Sequence, residues 1–467
     1  MSELADIGIV GLGVMGANLA LNLAEKGFRV AVYDSDPAQR AELVATDQFA
    51  PSFVDCPDEE TLLAAIRPPR PVIMLVPAGA ATDAVIARLA GLASPGDLLI
   101  DAGNSDFHHT RRRTAELEAQ GLTFLGIGVS GGAEGARHGP AMMAGGSRAI
   151  WDRVAPMFTA IAARYKDDPC AAWLGPDGAG HFVKTVHNGI EYADMQMIAE
   201  IYGLMRDGLN ADPKQIAGTF EGWATGPLAS YLVEIAGHVA HATDPETTRP
   251  MLEIIADRAG QKGTGRWSVI EAQRLGAVAT TIEAAVNARN LSAATALREA
   301  LAGSVHLPGA EMPDVAQLHD ALHAGKIIAY AQGFDLLATA SKEYHWDLDL
   351  AAIARVWRAG CIIRSAMLDD IAGIFDARPG AALLSVPAFR DRLTPLIPAL
   401  RQTVAASALG GYPAPALGSA LAYLDQLSRP RGTANMLQGL RDFFGEHGFE
   451  RIDRDGTGFH GPWVNAR

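Results

Sequence analysis

The sequence contains few cysteines. Its three, Cys56, Cys170 and Cys361, are odd in number, lie far apart and form no Cys-x-x-Cys or Cys/His array. This pattern excludes a disulfide framework and a zinc site, and it is typical of a protein from a reducing compartment. We therefore expect a cytoplasmic protein with no bound metal.

Long hydrophobic runs are also missing. The apolar stretch at residues 72–93 is interrupted by Pro77, Asp83 and Arg88. No run approaches the ~18 residues that a membrane-spanning helix needs. The N-terminal residues MSELADIGIVG lack the basic start of a signal peptide. We expect no membrane partner.

The sequence has fewer basic than acidic residues. Lysine and arginine number 39 against 53 aspartates and glutamates, which gives a net charge of −14. Such a balance argues against a general nucleic-acid binder or a protein of anionic membrane surfaces. It does not argue against a small anionic ligand, since a local cluster of cations can oppose the overall sign.

The chain is too long for one core. Its 467 residues, 49% of them hydrophobic, predict about three folded units at roughly 150 residues each. Strand-like runs at residues 6–10, 29–33, 71–76, 97–100 and 122–127 alternate with helical patterns such as 15–26. This alternation predicts a mostly parallel sheet with right-handed crossovers over residues 1–178.

The pattern changes after Gly178. Helix-periodic stretches at 181–207, 251–259, 281–301, 312–343 and 348–376 predict an all-α domain over residues 179–430. A further helix is expected at 435–446. Residues 431–467 end in a polar, glycine-rich tail with Phe449, Phe459 and Trp463 spaced along it. A tail of this kind either frays or docks on another surface, and the aromatic residues favour docking.

A glycine-rich loop near the N-terminus predicts a dinucleotide site. Gly11, Gly13 and Gly16 form Gly-x-Gly-x-x-Gly between a predicted strand and a predicted helix, and Asp34 closes the next strand. In this context the loop amides and the helix N-terminus favour a pyrophosphate, which makes the domain Rossmann-type. The alternative is a tight strand-to-helix turn that binds nothing.

Asp34 indicates which dinucleotide is preferred. A carboxylate at this position accepts hydrogen bonds from both ribose hydroxyls of NAD and repels the 2′-phosphate of NADP. Ser35 and Asp36 follow, so no cation occurs before Arg40. We expect NAD in preference to NADP. An Arg40 side chain that swings back towards the ribose would reverse that preference.

One predicted helix carries five polar side chains on one face. At 100° per residue, Lys184, His187, Asn188, Glu191 and Tyr192 point the same way. Lys184 and Glu191 are seven residues apart, roughly 10 Å along the axis, so both can reach one small substrate. The alternative is a solvated surface.

Several motifs in chain order resemble one family. They are Gly103-Asn104-Ser105, Gly128-Val-Ser130-Gly131-Gly132, Lys184-x-x-His187-Asn188-Gly-x-Glu191-Tyr192, Gln261-Lys262-Gly263-Thr264-Gly265, Lys326-Ile-Ile-Ala-Tyr-Ala-Gln332-Gly333-Phe334, Trp357-x-x-Gly360-Cys361-Ile-Ile-Arg364-Ser365 and Arg441-Asp-Phe-Phe-Gly445-Glu-His447. Together they are similar to the decarboxylating 6-phosphogluconate dehydrogenases, within the β-hydroxyacid dehydrogenase superfamily. The resemblance covers essentially the whole chain.

The resemblance implies oxidation of 6-phosphogluconate at C3 and loss of CO₂ to give ribulose 5-phosphate, as in the pentose phosphate pathway and gluconate use. Lys184 is implied as the base and then as the stabiliser of the oxyanion, and Glu191 as the acid that protonates C1. Lysine has an ordinary pKa near ~10.4, so this role requires a lowered value. No metal is implied.

The resemblance also implies the residues that bind ligands. For the sugar and carboxylate they are Asn104, Ser130, Gly131, Gly132, His187 and Asn188. Around the phosphate they are Tyr192, Lys262, Thr264, Arg289 and Arg441, with His447 beside them. For the cofactor they are Gly11, Leu12, Gly13, Val14, Met15, Gly16, Asp34, Ser35, Val76, Ala78 and Asn104. Arg441 and His447 are implied to reach the active site of a second subunit, which predicts a homodimer.

The sequence departs from the family pattern at several points. Asp34-Ser35-Asp36 stands where the family's NADP-type loop has Asn-Arg-Thr, Gly13 stands where alanine is frequent, and Pro77 replaces a lysine. The first two changes strengthen the NAD prediction. Ala133 stands where the family has an acid, and we have no physical explanation for that change. The remaining alternatives are an NADP-preferring enzyme, a related β-hydroxyacid dehydrogenase, or a catalytically silent dinucleotide-binding protein.

Overall fold

A computed structural model describes residues 3–45, 50–261, 263–304 and 308–463. The chain forms two compact units, Met1–Ser419 and Ala420–Arg467. An α/β region, a helical region and a C-terminal segment follow one another along the chain, which confirms the predicted fold class. Within the described ranges, no helix is long and apolar enough to cross a membrane.

The α/β region is built on an eight-stranded sheet. Strand β3 lies at one edge, and the order continues β2, β1, β4, β5, β6, β7 and β10. Every neighbouring pair is parallel except β6 and β7, which run antiparallel. The strands of this sheet and of a separate two-stranded ribbon, β8 with β9, are β1 Ile7–Val10, β2 Val30–Tyr33, β3 Phe53–Asp55, β4 Pro71–Met74, β5 Leu98–Asp101, β6 Thr123–Ser130, β7 Ala141–Gly146, β8 Arg164–Tyr165, β9 Asp168–Pro169 and β10 Ala171–Gly175.

The two faces of the sheet bury separate apolar clusters. Ile7 and Ile9 of β1 belong to one cluster, while Val10 and the β2 residue Ala31 belong to the other. Alternate side chains of a strand point to opposite faces, so a strand covered on both faces reads as a continuous apolar run. The helices of this region are α1 Val14–Glu25, α2 Pro37–Val44, α3 Glu59–Ala65, α4 Ala80–Leu92, α5 Phe107–Glu118, α6 Gly132–His138 and α7 Arg148–Ile161.

Two long helices form the centre of the helical region, α8 with 25 residues and α14 with 29. Asp314 and Gln317 form a capping box at the start of α14 that satisfies two terminal amides. The helices after the sheet are α8 Ala179–Gly203, α9 Pro213–Trp223, α10 Tyr231–His241, α11 Thr264–Leu275, α12 Thr280–Ser292, α13 Thr295–Leu301, α14 Val315–Glu343, α15 Leu350–Val356, α16 Met367–Ala377, α17 Pro387–Leu393, α18 Ile397–Gly410, α19 Pro415–Leu427 and α20 Ala434–Gly445.

Three of the predicted helical stretches differ from the structure. The stretch at 251–259 contains only a 3₁₀ turn, Met251–Glu253, and Ile254 and Ile255 are exposed. So short a helix is marginal unless an apolar face packs. The stretches at 281–301 and 348–376 are each divided, into α12 and α13 and into α15 and α16.

The second unit contains α20 and the aromatic tail. Asp442 of α20 is fully buried and accepts hydrogen bonds from the amides of Gly448 and Gly461, from His460 and from the indole of Trp463, at 2.7–3.0 Å. Residues 449 and 459 pair through reciprocal backbone hydrogen bonds. The tail is therefore folded around one carboxylate.

Candidate active site

The glycine-rich loop joins β1 to α1. Gly11 has a φ of +94°, and a Cβ there would lie 2.6 Å from the carbonyl oxygen of Leu75. A Cβ on Gly16 would lie 1.9 Å from the carbonyl oxygen of Gly11, so both positions require glycine. No described atom lies within 4 Å of a Cβ built on Gly13. The loop is therefore open where a pyrophosphate would approach the start of α1, which carries Val14 and Met15.

Asp34 lies at the end of β2 and supports this loop. Its Oδ2 accepts the amide of Leu12 at 2.6 Å, and its Oδ1 accepts the amide of Asp36 at 2.8 Å. Each carboxylate oxygen can accept a further hydrogen bond. Ser35 is the next residue in the chain. The carboxylate is therefore fixed beside the loop with capacity left for hydroxyl groups.

Arg40 is the first cation after Asp34. Its Nε donates to Oδ1 of Asp55 at 2.9 Å, and its Nη1 donates to the carbonyl oxygen of Asp34 at 2.8 Å. The side chain is only 13% exposed. The guanidinium is therefore already paired with a carboxylate.

The other predicted cofactor residues lie at the same edge of the sheet. Val76 and Ala78 follow β4, and Asn104 follows β5. Strands β1, β2, β4 and β5 are adjacent and parallel, so the loops after their carboxyl ends share one edge. Dinucleotides bind outside this edge in open parallel sheets. The structure therefore brings the predicted cofactor set together.

Lys184 is held against the sheet at the start of α8. A Cβ on Gly128 of β6 would lie 2.3 Å from Cβ of Lys184, and one on Gly180 would lie 2.4 Å from the carbonyl oxygen of Met143. Glycine at these two positions lets α8 approach the strands closely. Lys184 is 6% exposed, and burial lowers the pKa of its ammonium group, against the opposing charge of Glu191.

Lys184 belongs to a hydrogen-bonding group of polar side chains. Its Nζ lies 3.3 Å from Nδ1 of His187, and this same Nδ1 lies 3.0 Å from Oδ1 of Asn188. On the other side of the ring, Nε2 lies 3.2 Å from Oγ of Ser130. Burial lowers the pKa of His187 well below its ordinary value, with Lys184 adding to the effect. The imidazole is therefore neutral and orients its neighbours.

Glu191 lies two turns further along α8. Its Oε2 is 3.8 Å from Nδ1 of His187, and its side chain is 20% exposed. Burial raises the pKa of this carboxyl group, against the charges of Lys184 and Arg289. A lysine with a lowered pKa and a carboxyl group with a raised pKa therefore share one helix face. Groups whose pKa values are shifted in these directions suit a base and an acid.

Three of the residues predicted to bind the phosphate lie close together at the Glu191 end of this face. The guanidinium of Arg289 stacks on the ring of Tyr192, 3.5 Å from its centroid. A Cβ on Gly265 would lie 2.4 Å from the same ring, which places Thr264, the first residue of α11, next to it. Burial lowers the pKa of Arg289. Lys262 lies outside the described residues.

Gly131 and Gly132 begin α6 directly after Ser130. Their φ angles are +117° and +64°, which favour glycine. A Cβ on Gly131 would lie 2.6 Å from the carbonyl oxygen of Gly360. Of the residues expected at the sugar and carboxylate, Ser130, His187 and Asn188 therefore lie in one hydrogen-bonding group with Lys184, and Gly131 and Gly132 directly follow Ser130.

Two sequence profiles together match nearly the whole chain. One, described as the NAD binding domain of 6-phosphogluconate dehydrogenase, matches residues 6–175, and the other, described as the C-terminal domain of 6-phosphogluconate dehydrogenase, matches residues 180–463. The chain belongs to the 6-phosphogluconate dehydrogenase family. This membership confirms the predicted enzyme class, an NAD(P)-dependent decarboxylating dehydrogenase.

Full-length relatives agree with this family. The chain is 43% identical to the decarboxylating 6-phosphogluconate dehydrogenase of Synechococcus elongatus, over 98% of this chain and 99% of the relative. It is 41% identical to the NAD(+)-dependent decarboxylating enzyme of Bacillus subtilis, over 98% of this chain and 99% of that one. Among solved structures, Plasmodium falciparum 6-phosphogluconate dehydrogenase has a TM-score of 0.93 and 36% identity, covering 98% of this chain and 100% of its own. That study describes complexes with NADP+ and with 6-phosphogluconate.

Two residues that the family resemblance assigns to the site lie in the second unit. Arg441 is exposed on α20, and its Nη1 donates to Oε1 of Gln438 at 3.1 Å. His447 is exposed just after α20, with its ring 5.9 Å from that of Phe444. Asp442, which follows Arg441, accepts the amide of Gly448, which follows His447, at 3.0 Å.

Sequence reasoning named Trp357 and Phe334 only as parts of motifs, without a role, and did not name Asp101. Trp357 is fully buried with its ring edge-on to His187 at 5.7 Å, and Phe334 packs on its other side. Asp101 at the end of β5 accepts the amide of Gly103 at 3.0 Å. An acid two residues before Gly103 was the available signal. Among the described residues, no group of three potential ligands could hold a metal ion.

Proposed function

We propose that the chain catalyses oxidative decarboxylation of 6-phospho-D-gluconate to D-ribulose 5-phosphate and CO₂, with NAD preferred over NADP. One observation carries this proposal. Lys184, with a lowered pKa, and Glu191, with a raised pKa, share one face of α8, joined through His187. The direction of each shift is the one that the two proton transfers of this reaction require.

The open loop at Gly13 and the fixed carboxylate of Asp34 fit a nicotinamide dinucleotide. Gly11, Leu12 and Gly13 would face its pyrophosphate, and Asp34 its adenosine ribose. When bound, the nicotinamide ring supplies the oxidant that accepts the C3 hydrogen with its electron pair. The chain's own residues supply the proton transfers and the electrostatic stabilisation.

Lys184 acts first, as a base. In its neutral form the amine takes the proton of the C3 hydroxyl group while C3 is oxidised to a ketone. A lysine near its ordinary pKa of ~10.4 is protonated at neutral pH, so burial is what makes this step possible. His187 keeps the amine oriented at 3.3 Å.

The protonated Lys184 then stabilises the next step. The 3-keto acid loses CO₂ by cleavage of its C1–C2 bond, and the electron pair moves into an enolate at the C3 oxygen. An ammonium group in a buried site stabilises this oxyanion strongly, because water does not compete. Lys184 donates its proton to this oxygen, which gives the enediol. Glu191 then donates a proton to the former C2, which becomes C1 of the product. Lys184 takes back the enediol proton as the carbonyl group forms at C2 of the product.

The surrounding residues would hold the substrate. Asn104, Ser130, Gly131, Gly132, His187 and Asn188 offer amide, hydroxyl and imidazole groups to the hydroxyls and the carboxylate. Tyr192, Thr264, Lys262 and Arg289 would bind the phosphate, with Arg441 and His447 from the tail. A guanidinium gives bidentate contacts to a phosphate, which favours Arg289 and Arg441 for that role.

The preference for NAD follows from charge at the end of β2. The carboxylate of Asp34 would repel the 2′-phosphate of NADP, and the guanidinium of Arg40 is already paired with the carboxylate of Asp55. The Bacillus subtilis relative is named as NAD(+)-dependent, whereas the Plasmodium falciparum structure is described with NADP+. Relatives are thus named with each of the two cofactors, and the carboxylate of Asp34 supports NAD for this chain.

A homodimer that shares its tails completes the proposal. Met436, Leu437, Leu440 and Phe444 of α20 are each more than half exposed. They lie at positions i, i+1, i+4 and i+8, which form one apolar stripe on a helix. Such a stripe suits a second copy of the chain, which would receive Arg441 and His447 at its phosphate site.

Turnover by the purified protein tests the function. With 6-phosphogluconate and NAD we expect equal amounts of reduced cofactor and CO₂, and a higher kcat/KM for NAD than for NADP. Gluconate, which lacks only the phosphate, should be turned over far more slowly. No turnover with either cofactor would refute the activity. Equal use of gluconate would favour a different β-hydroxyacid substrate, and a higher kcat/KM for NADP would refute only the cofactor assignment.

A further inference from the structure

A buried arginine lies beneath two of the loops at the active-site edge of the sheet. Arg113 of α5 has 1% of its surface exposed, although it ends a run of three arginines at positions 111–113. The side chain of its neighbour Arg112 is 45% exposed. A guanidinium remains charged when it is buried, so it must be paired to be tolerated.

The donors of Arg113 are divided between the two loops. Nε donates to Oδ1 of Asp83 at 2.8 Å, and Nη2 donates to the carbonyl oxygen of Gly79 at 3.2 Å. Nη1 donates to Oδ2 of Asp101 at 2.9 Å and to Oγ of Ser105 at 3.2 Å. One planar group therefore joins the start of α4 to the turn that follows β5.

The two segments that the Arg113 guanidinium joins both contain residues of the proposed site. Gly79, with a φ of +93°, directly follows Ala78 in the loop after β4. Asp101 and Ser105 bracket Asn104, and their side chains are joined by a 2.6 Å hydrogen bond. The amide of Gly103 also donates to Asp101. Arg113 thus holds the cofactor-side loop and the Asn104 turn at a fixed separation.

The geometry requires arginine at this position. Two carboxylates and a carbonyl oxygen surround the guanidinium from different directions, and an ammonium group on a lysine stem cannot span them. Burial acts to raise the pKa of Asp83, but hydrogen bonds from Arg113 and Arg112 outweigh it and lower that pKa. The carboxylate therefore stays charged as a partner.

We propose that Arg113 is a positioning residue that sets the separation between the loop at residues 76–79 and the turn at 103–105, and so couples cofactor binding to the placement of Asn104. The inference rests on the proposed function for the role of these loops. Arg113 acts through the loop backbones, and correct placement of a binding group affects both KM and kcat.

The kinetic test compares Arg113→Lys with Arg112→Lys. The control changes an exposed arginine that also binds Asp83. We expect Arg113→Lys to raise the KM for NAD and for 6-phosphogluconate and to lower kcat, each by roughly tenfold. The control should stay within twofold of the parent. A folded Arg113→Lys enzyme with parental KM and kcat would overturn the inference, as would a loss of thermal stability alone.

A measurement without ligands separates this inference from the proposed function. In hydrogen exchange followed by mass spectrometry, Arg113→Lys should exchange at least several-fold faster than the parent in residues 76–84 and 101–106. Residues 7–12, which are β1 and the start of the loop that follows it, should be unchanged. If the parent does not turn over 6-phosphogluconate, the function fails while this comparison still decides the role of Arg113. Unchanged exchange in both segments would contradict that role.

A second variant covers the case in which Arg113→Lys does not fold. Ser105→Ala keeps the pairing of Arg113 with Asp101 and removes the two hydrogen bonds of the Ser105 hydroxyl group, from Arg113 and to Asp101. It should speed exchange in residues 101–106 alone and raise the KM for 6-phosphogluconate more than that for NAD. Parental exchange in residues 101–106 together with parental KM values for both substrates would count against the coupling.

Discussion

Nζ of Lys184 lies 3.3 Å from Nδ1 of His187, one turn further along α8, and both side chains are buried. Burial lowers the pKa of each group, so two bases can be adjacent without both carrying a proton. A proton accepted from the substrate would arrive on Lys184, where it can be returned. The consequences of this arrangement can be measured.

The pH dependence of the oxidation should show a lowered lysine pKa. We expect kcat/KM to rise about tenfold per pH unit on the acid side and to level off well below ~10.4, the ordinary pKa of lysine. The rise reflects loss of the Lys184 proton in the free enzyme. A plateau reached only near pH 10, or a flat profile on the acid side, would contradict this assignment.

The stability should depend on pH through the same group. The pKa of Lys184 is lower in the folded than in the unfolded chain, so between the two values the unfolded chain binds more protons. The free energy of unfolding should therefore rise with pH across this window. Urea unfolding of Lys184→Met, compared with the parent from pH 6 to 9, should show a weaker rise. If the free energy of unfolding rose equally with pH in the variant and the parent, Lys184 would not be the source of that rise.

Glu191→Gln should separate the oxidation step from the protonation of C1 of the product. We expect kcat to fall by about 10²–10³ because C1 is no longer protonated by an acid, while reduced cofactor still forms in the first turnover. Glu200→Gln is the matched control. Glu200 is a buried carboxyl group of α8 that accepts the amide of Ala416 at 2.7 Å, outside the proposed site. Its kcat should be near that of the parent. A first turnover slowed as much as kcat would argue against Glu191 as the acid.

Asp34→Asn combined with Ser35→Arg should shift the cofactor preference towards NADP. The double variant removes one negative charge and adds a guanidinium for the 2′-phosphate. A charged hydrogen bond contributes about 1.5–3 kcal/mol, so the kcat/KM ratio of NADP to NAD should rise by roughly ten- to a hundredfold. Asp55→Ala, which removes the carboxylate partner of Arg40, should shift the ratio in the same direction but less. An unchanged ratio in the double variant would refute the role of Asp34.

Asp442→Asn should disrupt the tail. An amide has only one oxygen to accept the donors that Asp442 now binds with two, so Trp463 or His460 loses its partner. We expect faster proteolysis of residues 446–463 and a lower kcat/KM for 6-phosphogluconate. Asp453→Asn, at an exposed pair with Arg451, is the control. Equal proteolysis of the two variants would contradict a central role for Asp442.

The tail should also loosen in acid. Burial acts to raise the pKa of Asp442, but four hydrogen bonds outweigh it and lower that pKa. The stability that the charged form contributes is therefore complete above the ordinary aspartate pKa of ~3.9. It is lost as the pH falls through the lowered value.

Local sequence patterns were sufficient to predict the structural features that depend on residues close together in the sequence. The spacing of Gly11, Gly13 and Gly16 between a strand and a helix predicted the loop, and helical periodicity predicted the shared face of Lys184 and Glu191. Both follow from regular geometry within about 25 residues. The structure shows each as expected.

Features that depend on distant partners were not predictable. Strand β7 reads AMMAGG, a run that is equally compatible with a loop, and it is a strand because it pairs antiparallel with β6. Arg113 is the last of three consecutive arginines, and only its contacts with the loops at Gly79 and Asp101 explain its burial. The stretch at 251–259 has helical periodicity, yet no packed face stabilises it.

The central claim is that Lys184 takes the proton that starts the oxidation. Single-turnover mixing of Lys184→Met with 6-phosphogluconate and NAD, with Glu191→Gln beside it, tests this claim most directly. Calorimetry should show that both variants bind the substrate. We predict that Lys184→Met forms no reduced cofactor on the timescale in which Glu191→Gln forms one equivalent. Reduced cofactor formed by Lys184→Met at the parental rate would contradict the account.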